Sequence, residues 1–135
     1  MKVYSGNNFL AAFSDASDGD LSFYNFAPDA ARQIWQNFDV VRFNGLITPA
    51  TAAQVHGDDI IVCNGAVTDK MCVGRGDAVV TTLPDQPVGV YTADCLPLLI
   101  IGDAACAAVH AGWKSTLLNI SAKTINFFKG LFLIY

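Results

Sequence analysis

Cys95 and His110 are the pair of side chains in this 135-residue chain best suited to chemistry. They stand in Thr92-Ala93-Asp94-Cys95-Leu96-Pro97 and His110-Ala111-Gly112-Trp113-Lys114, at the outer ends of two strand-like runs, Leu96 to Ile101 and Ala104 to Val109. The Gly102-Asp103 pair between the runs is a preferred two-residue hairpin turn. With that turn Ile101 faces Ala104, and counting outward sets Cys95 opposite His110. Opposed residues share one face of the ladder with Cβ atoms about 4.5–5.5 Å apart, near enough to share a metal or a proton. Pro97 qualifies the register. Proline has no N–H to give and belongs on an edge strand or at a bulge, and a bulge slips the pairing by one residue.

The chain has two histidines, His56 and His110, each entering a glycine-containing turn after a strand-like run. Taken singly, a solvent-facing or hydrogen-bonded turn histidine is the commoner role for either. Together with Cys95 they offer one thiolate and two imidazoles, a set that suits tetrahedral zinc with its fourth position left to water or substrate. Three protein ligands mark a catalytic rather than a structural metal. Such an ion keeps the thiol deprotonated and brings a bound water toward neutrality, so the nucleophile needs no further base. Without metal, Cys95 and His110 remain a nucleophile and base for a cysteine hydrolase, with backbone N–H groups beyond Gly112 as oxyanion donors.

Around this trio, Asp94 alternates to the face opposite Cys95 in a regular strand, so a turn or strand-end role competes with proton transfer. Gly74-Arg75-Gly76-Asp77 reads as a flexible loop from which Arg75 or Asp77 can reach a ligand, Asp77 as a catalytic carboxylate and Arg75 as a substrate contact. Its Arg-Gly-Asp triplet is read as chance. Trp113 divides between stacking on a planar ring and serving as a core lid over the hairpin. Lys114 either binds an anion or is solvated. Cys63, Cys72 and Cys106 lack the spacing of a zinc ribbon or redox pair and are expected to be small buried hydrophobes in a reducing compartment.

The elements that must position these residues are short. Leu10 to Phe13 predicts a strand and Asp15 to Asp20 a loop. A helix follows from Pro28, with Ala31, Ile34, Trp35 and Phe38 on one face. Val40 to Phe43, Leu46 to Val55, Ile60 to Cys63, Ala78 to Thr82 and Val88 to Thr92 are strand-like runs punctuated by Gly, Pro and Asp. Beyond His110, Leu118, Ala122 and Ile125 predict a second helix with Gly130 as its C-cap. Its N-terminus, just past Trp113, turns free N–H groups toward the same site and favours an anion there. The mixed order predicts an α+β fold, one domain over residues 1–135.

Bulk properties bound the partners. A net charge of −4 leaves no basic stripe for a phosphate backbone, so no nucleic acid is expected and a small molecule is. No run approaches the roughly eighteen apolar residues of a membrane span, and Phe9 to Phe13 is too short for a secretory signal, so a soluble, cytoplasmic protein is expected. The apolar ending Leu131-Phe132-Leu133-Ile134-Tyr135 implies a chain that stops early or an end that is buried.

Four segments, Gln54-Val55-His56-Gly57, Gly76-Asp77-Ala78-Val79-Val80-Thr81, Thr92-Ala93-Asp94-Cys95-Leu96-Pro97 and Ala107-Ala108-Val109-His110-Ala111-Gly112-Trp113, resemble in order the motifs of the YfiH or laccase-domain-containing family, formerly described as multicopper polyphenol oxidases. The resemblance implies zinc held by His56, Cys95 and His110, and a layered sandwich of mixed or antiparallel sheet flanked by helices. It also implies phosphorolysis of purine nucleosides by inorganic phosphate, with adenosine deamination as a second reaction. Trp113, Lys114 and Arg75 are then the expected substrate contacts. Two departures stand out. Family members are nearly twice this length and carry a downstream Gly-Pro motif and final strands absent here. Their Gly-Trp-Arg-Gly appears as Gly112-Trp113-Lys114-Ser115, which keeps a charge but loses the planar fork that grips phosphate at two points. These departures keep open a shortened, non-catalytic binding module completed by a partner or by a second copy in a homo-oligomer.

Overall fold

The central strand of the fold, Ala78–Thr81, is buried along its whole length, and it carries neighbours on both edges and layers on both faces. The structure is a computed structural model, described here for residues 2–18, 49–67 and 72–131. The chain divides into two compact units, Met1–Thr48 and Pro49–Tyr135.

In the first unit, β1 (Lys2–Ser5) and β2 (Leu10–Phe13) form an antiparallel hairpin in which Lys2 pairs with Phe13 and Ser5 with Leu10. β2 matches the expected strand. β1 was not foreseen, because all four of its residues are exposed and it has no apolar face to announce it. A short 3-10 turn, Ala16–Asp18, falls in the expected loop. The helix expected from Pro28, with Ala31, Ile34, Trp35 and Phe38, and the run Val40 to Phe43 lie outside the described residues.

The second unit holds β3 (Thr51–Ala53), β4 (Ile60–Cys63), β5 (Cys72–Arg75), β6 (Ala78–Thr81), β7 (Leu96–Ile101) and β8 (Cys106–Ala111). Two helices follow, α1 (Trp113–Leu117) and α2 (Ile120–Leu131). The main sheet runs β4-β6-β8-β7, with β4 and β6 parallel and the other pairs antiparallel. Successive residues of β6 point to opposite faces. Ala78 and Val80 meet the helix layer, where Ile120 packs with Val109 and Ala111, and Phe128 packs with Ala105 and Ala107. Val79 faces the other way, into a cluster with Ala50, Ala52 and Cys63 beneath the small parallel sheet β3–β5. The result is an α+β sandwich of mixed sheets with helices on one side. Among the described residues no helix is long and apolar enough to cross a membrane.

Several expectations need correction. Leu118, Ala122 and Ile125 are exposed, and the helix buries Ile120, Thr124 and Phe128 instead. The reason is a break in phase: Asn119 takes a left-handed φ of 62°, ending α1 before α2 begins. A periodicity counted from Leu118 runs across that break. Gly130 is no cap either, since α2 continues to Leu131. Val88 to Thr92 forms no strand beyond a single bridge from Val88 to Ala50. Of Leu46 to Val55, only Thr51–Ala53 is strand among the described residues. Gly74 and Arg75 belong to β5 and not to a flexible loop. Cys72 is exposed and Cys106 half-buried, so only Cys63 of the three behaves as a buried hydrophobe.

Candidate metal centre

β7 and β8 meet in a register that sets Pro97, not Cys95, opposite His110. The connection is four residues, 102–105, closed by the Gly102 N–H donating to the Ala105 carbonyl at 2.9 Å, where a two-residue turn was expected. Pairing is thereby displaced by two residues. Continuing the ladder outward puts Cys95 across from Gly112. Because side chains alternate with period two, an even displacement leaves Cys95 and His110 on the same face, now as diagonal neighbours across a residue that has no side chain. Pro97 causes no bulge. The His110 N–H donates to the Asp77 carbonyl at 2.7 Å on the β6 side, so its partner Pro97 turns its own nitrogen to the open edge, where no donor is needed.

His110 is buried at the end of β8, and its Nδ1–H donates to Asp77 Oδ1 at 2.8 Å. That bond selects the tautomer and leaves Nε2 bare as a ligand. The same carboxylate collects the turn that bears His56. Asp77 Oδ1 accepts the His56 N–H at 2.9 Å, and Oδ2 accepts those of Val55 at 3.1 Å and Gly57 at 2.8 Å. Three successive amides converge this way because His56 adopts a left-handed φ of 57°, forming a concave anion cradle that Asp77 fills. Burial alone raises the Asp77 pKa, but the His110 hydrogen bond and the three amides outweigh it and hold the carboxyl below its ordinary range.

The result is a convergence of three segments. Ligand atoms of His56, Cys95 and His110 all lie within 4.8 Å of one another, and the two imidazoles meet nearly edge-to-face with centroids 4.8 Å apart. One thiolate and two imidazoles brought this close form a donor set able to hold a metal ion. Without a cation the Cys95 thiol is pushed up, first by desolvation and then by the charges of Asp94 and Asp77. Its sulfur lies 3.7 Å from Asp94 Oδ1. A thiol so disfavoured as a thiolate suits a metal ligand, whose cation reverses that balance, better than a free nucleophile.

Gln54, two residues before His56, holds the segment leading to Cys95. Its Nε2 donates to the Tyr91 carbonyl and its Oε1 accepts the Tyr91 N–H, both at 2.7 Å. The side-chain amide thus replaces the ladder that Val88 to Thr92 does not form. An ion pair between Lys123 of α2 and Asp58 ties the helix to the loop after His56. Of the remaining expected residues, Trp113 is 75% exposed and is no core lid, Lys114 is exposed one residue further on, and Arg75 is exposed on β5 opposite Ala53. Asp77 is wholly buried behind the two histidines. Gln54 and Gly112 were not singled out from sequence, although both lie inside the motif segments quoted above.

A family model described as multi-copper polyphenol oxidoreductase laccase matches residues 13–132. The purine nucleoside phosphorylase of Aquifex aeolicus is 46% identical over 55 residues, covering 41% of this chain and 27% of that protein. The purine nucleoside phosphorylase YfiH of Escherichia coli is 34% identical over 82 residues, covering 59% of this chain and 32% of that protein. In structure, the hypothetical protein YfiH of Bacillus licheniformis matches with a TM-score of 0.62 at 22% identity, covering 76% of this chain and 41% of the other. The Neisseria meningitidis protein NMB0706, of family model DUF152, matches with a TM-score of 0.56 at 26% identity, covering 74% and 40%. The chain therefore spans between 27% and 32% of the length of these two curated relatives.

Proposed function

This chain belongs to the family described as multi-copper polyphenol oxidoreductase laccase, also known by YfiH and DUF152, and from that premise we propose that it carries the zinc centre of a purine nucleoside phosphorylase. The observation that supports this most is the convergence of His56, Cys95 and His110 donor atoms within 4.8 Å. The names of the relatives supply the substrate class, purine nucleoside and inorganic phosphate.

In this reading His56, Cys95 and His110 hold the ion, and His110 binds through Nε2 because Asp77 occupies Nδ1. A zinc ion held by these three residues would supply a Lewis acid to the reacting groups. Asp77 acts as a positioning residue, since its carboxylate is spent on His110 and the His56 turn. The exposed Trp113 indole, next to Gly112, offers a face on which a purine stacks. Lys114 and Arg75 are the cations proposed for the phosphate, Lys114 as a point charge without a bidentate grip. In phosphorolysis a phosphate oxygen bonds to the sugar's anomeric carbon while the glycosidic nitrogen leaves with the electron pair. Adenosine deamination is the proposed second reaction of the same centre. A cytoplasmic site of action is part of the proposal.

Copper oxidase chemistry is disfavoured by the two-histidine composition. A metal-free cysteine hydrolase is disfavoured by the raised thiol. A second reading draws on Lys114, a point charge without a bidentate grip: the metal centre is kept, and a partner chain or a second copy supplies the phosphate contacts. Zinc content, phosphate-dependent release of base from adenosine, and sedimentation of the same preparation separate the two. Bound zinc with base release supports the first, bound zinc without it supports the second, and no zinc removes both.

A further inference from the structure

Gly112 occupies a position whose backbone does not require glycine. It precedes α1 with φ −68° and ψ 168°, an extended conformation open to any L-residue. It is also buried. What distinguishes the position is its surroundings. A Cβ built there would lie 3.0 Å from His56 Cδ2, 3.2 Å from Cys95 Sγ and 3.5 Å from His110 Cε1. Three side chains from three different segments would thus meet a single added methyl group, and they are the three candidate ligands.

The imidazole atoms concerned, Cδ2 and Cε1, both flank Nε2 in their rings. A methyl near both of them and near the sulfur would intrude on the space that the three donors share. The hydrogen of Gly112 leaves that space clear. We propose that Gly112 is a positioning residue for the metal, its missing side chain keeping open the volume over which His56, Cys95 and His110 close on one ion. This rests on the reading of the trio as a metal centre and adds a fourth determinant to it.

The physical consequence differs between the metal-free and metal-loaded protein. Without metal, the exposed His56 and half-buried Cys95 have room to turn aside by the few tenths of an ångström that a methyl requires. With metal, bond lengths of about 2.0–2.3 Å fix them, and the added methyl has no way out. Helix capping adds a modest penalty for alanine, but it falls equally on both states.

The test compares wild type with Gly112→Ala and with Gly65→Ala, a glycine around which nothing lies within 4 Å of an added Cβ. Each is titrated with Co²⁺, reading the thiolate-to-cobalt charge-transfer band and the ligand-field bands, and its Zn²⁺ affinity is measured by competition with a chelator. Thermal unfolding of the metal-free proteins is recorded alongside. The expected result is a Gly65→Ala variant equal to wild type and a Gly112→Ala variant whose affinity falls on the order of 10- to 100-fold with a weakened thiolate band. Its metal-free unfolding should stay within about 5 °C of wild type. Equal affinity and spectrum in Gly112→Ala overturn the proposal, as does a metal-free variant that no longer unfolds cooperatively, because the defect is then one of folding. A wild type that gives no tetrahedral cobalt spectrum overturns the metal reading itself, a distinct failure.

Discussion

His110 and Asp77 are joined twice, once through the backbone at 2.7 Å between the His110 N–H and the Asp77 carbonyl, and once through their side chains at 2.8 Å. The sheet register and the orientation of the imidazole are thereby set by one pair of residues. Since the same carboxylate also gathers the Val55-His56-Gly57 amides, a single buried charge aligns two of the three candidate ligands.

Asp77→Asn removes that charge and places an NH₂ group among donors. Hydrogen bonds to charged groups contribute roughly 1.5–3 kcal/mol each, so a loss of at least about 2 kcal/mol is expected in denaturant unfolding. Zinc affinity should fall on the order of 10- to 100-fold by chelator competition. An Asn variant as stable and as tightly metallated as wild type contradicts the orienting role.

The pH dependence has a defined sign. The folded protein holds the Asp77 carboxyl below its ordinary 3.8, so the unfolded chain binds the proton more readily. The stability contributed is complete above pH 3.8 and is lost as pH falls below it, through the folded-state value. In metal-free protein, the stability gap between wild type and Asp77→Asn should therefore narrow as pH drops below 3.8. A gap that widens there is incompatible with this account.

Gln54→Ala should release the Tyr91 backbone while leaving both histidines in place. The Tyr91 amide then exchanges with solvent faster, read by hydrogen exchange, and metal affinity drops through the Cys95 arm, read as a weaker thiolate-to-cobalt band. Unchanged exchange at Tyr91 would show that another contact holds this segment.

Ile120 and Ile125 test which face of α2 carries the packing. Ile120 is fully buried against Ala78 and Val109, whereas Ile125 is 43% exposed. Ile120→Ala should cost about 2–5 kcal/mol and Ile125→Ala within about 0.5 kcal/mol. Similar costs for the two contradict the packing described.

Much of this was legible in the residues, and the rest was hidden for identifiable reasons. Ile60–Cys63 has the bounds its β-branched run announced, and the Cys95–His110 convergence survived a hairpin loop of the wrong length. It survived because the displacement was even, and an odd one would have sent the thiol to the far face. The helix face was lost at Asn119, where a left-handed residue resets a periodicity that counting takes as continuous. β5 was lost because Gly74 and Gly76 look like loop residues, although Gly76 is there for close approach: a Cβ would lie 2.8 Å from the Asp59 carbonyl. Gln54 and Gly112 left no periodic signal at all. One acts by imitating backbone and the other by having no side chain, and neither role is written in hydrophobic pattern.

The most direct measurement is metal analysis of the purified protein beside Cys95→Ala, with both preparations shown folded by circular dichroism. Wild type should retain close to one equivalent of zinc per chain after exhaustive dialysis, and Cys95→Ala should retain little. Folded wild type without metal, or a Cys95→Ala variant that holds as much as wild type, contradicts the claim that His56, Cys95 and His110 share one ion.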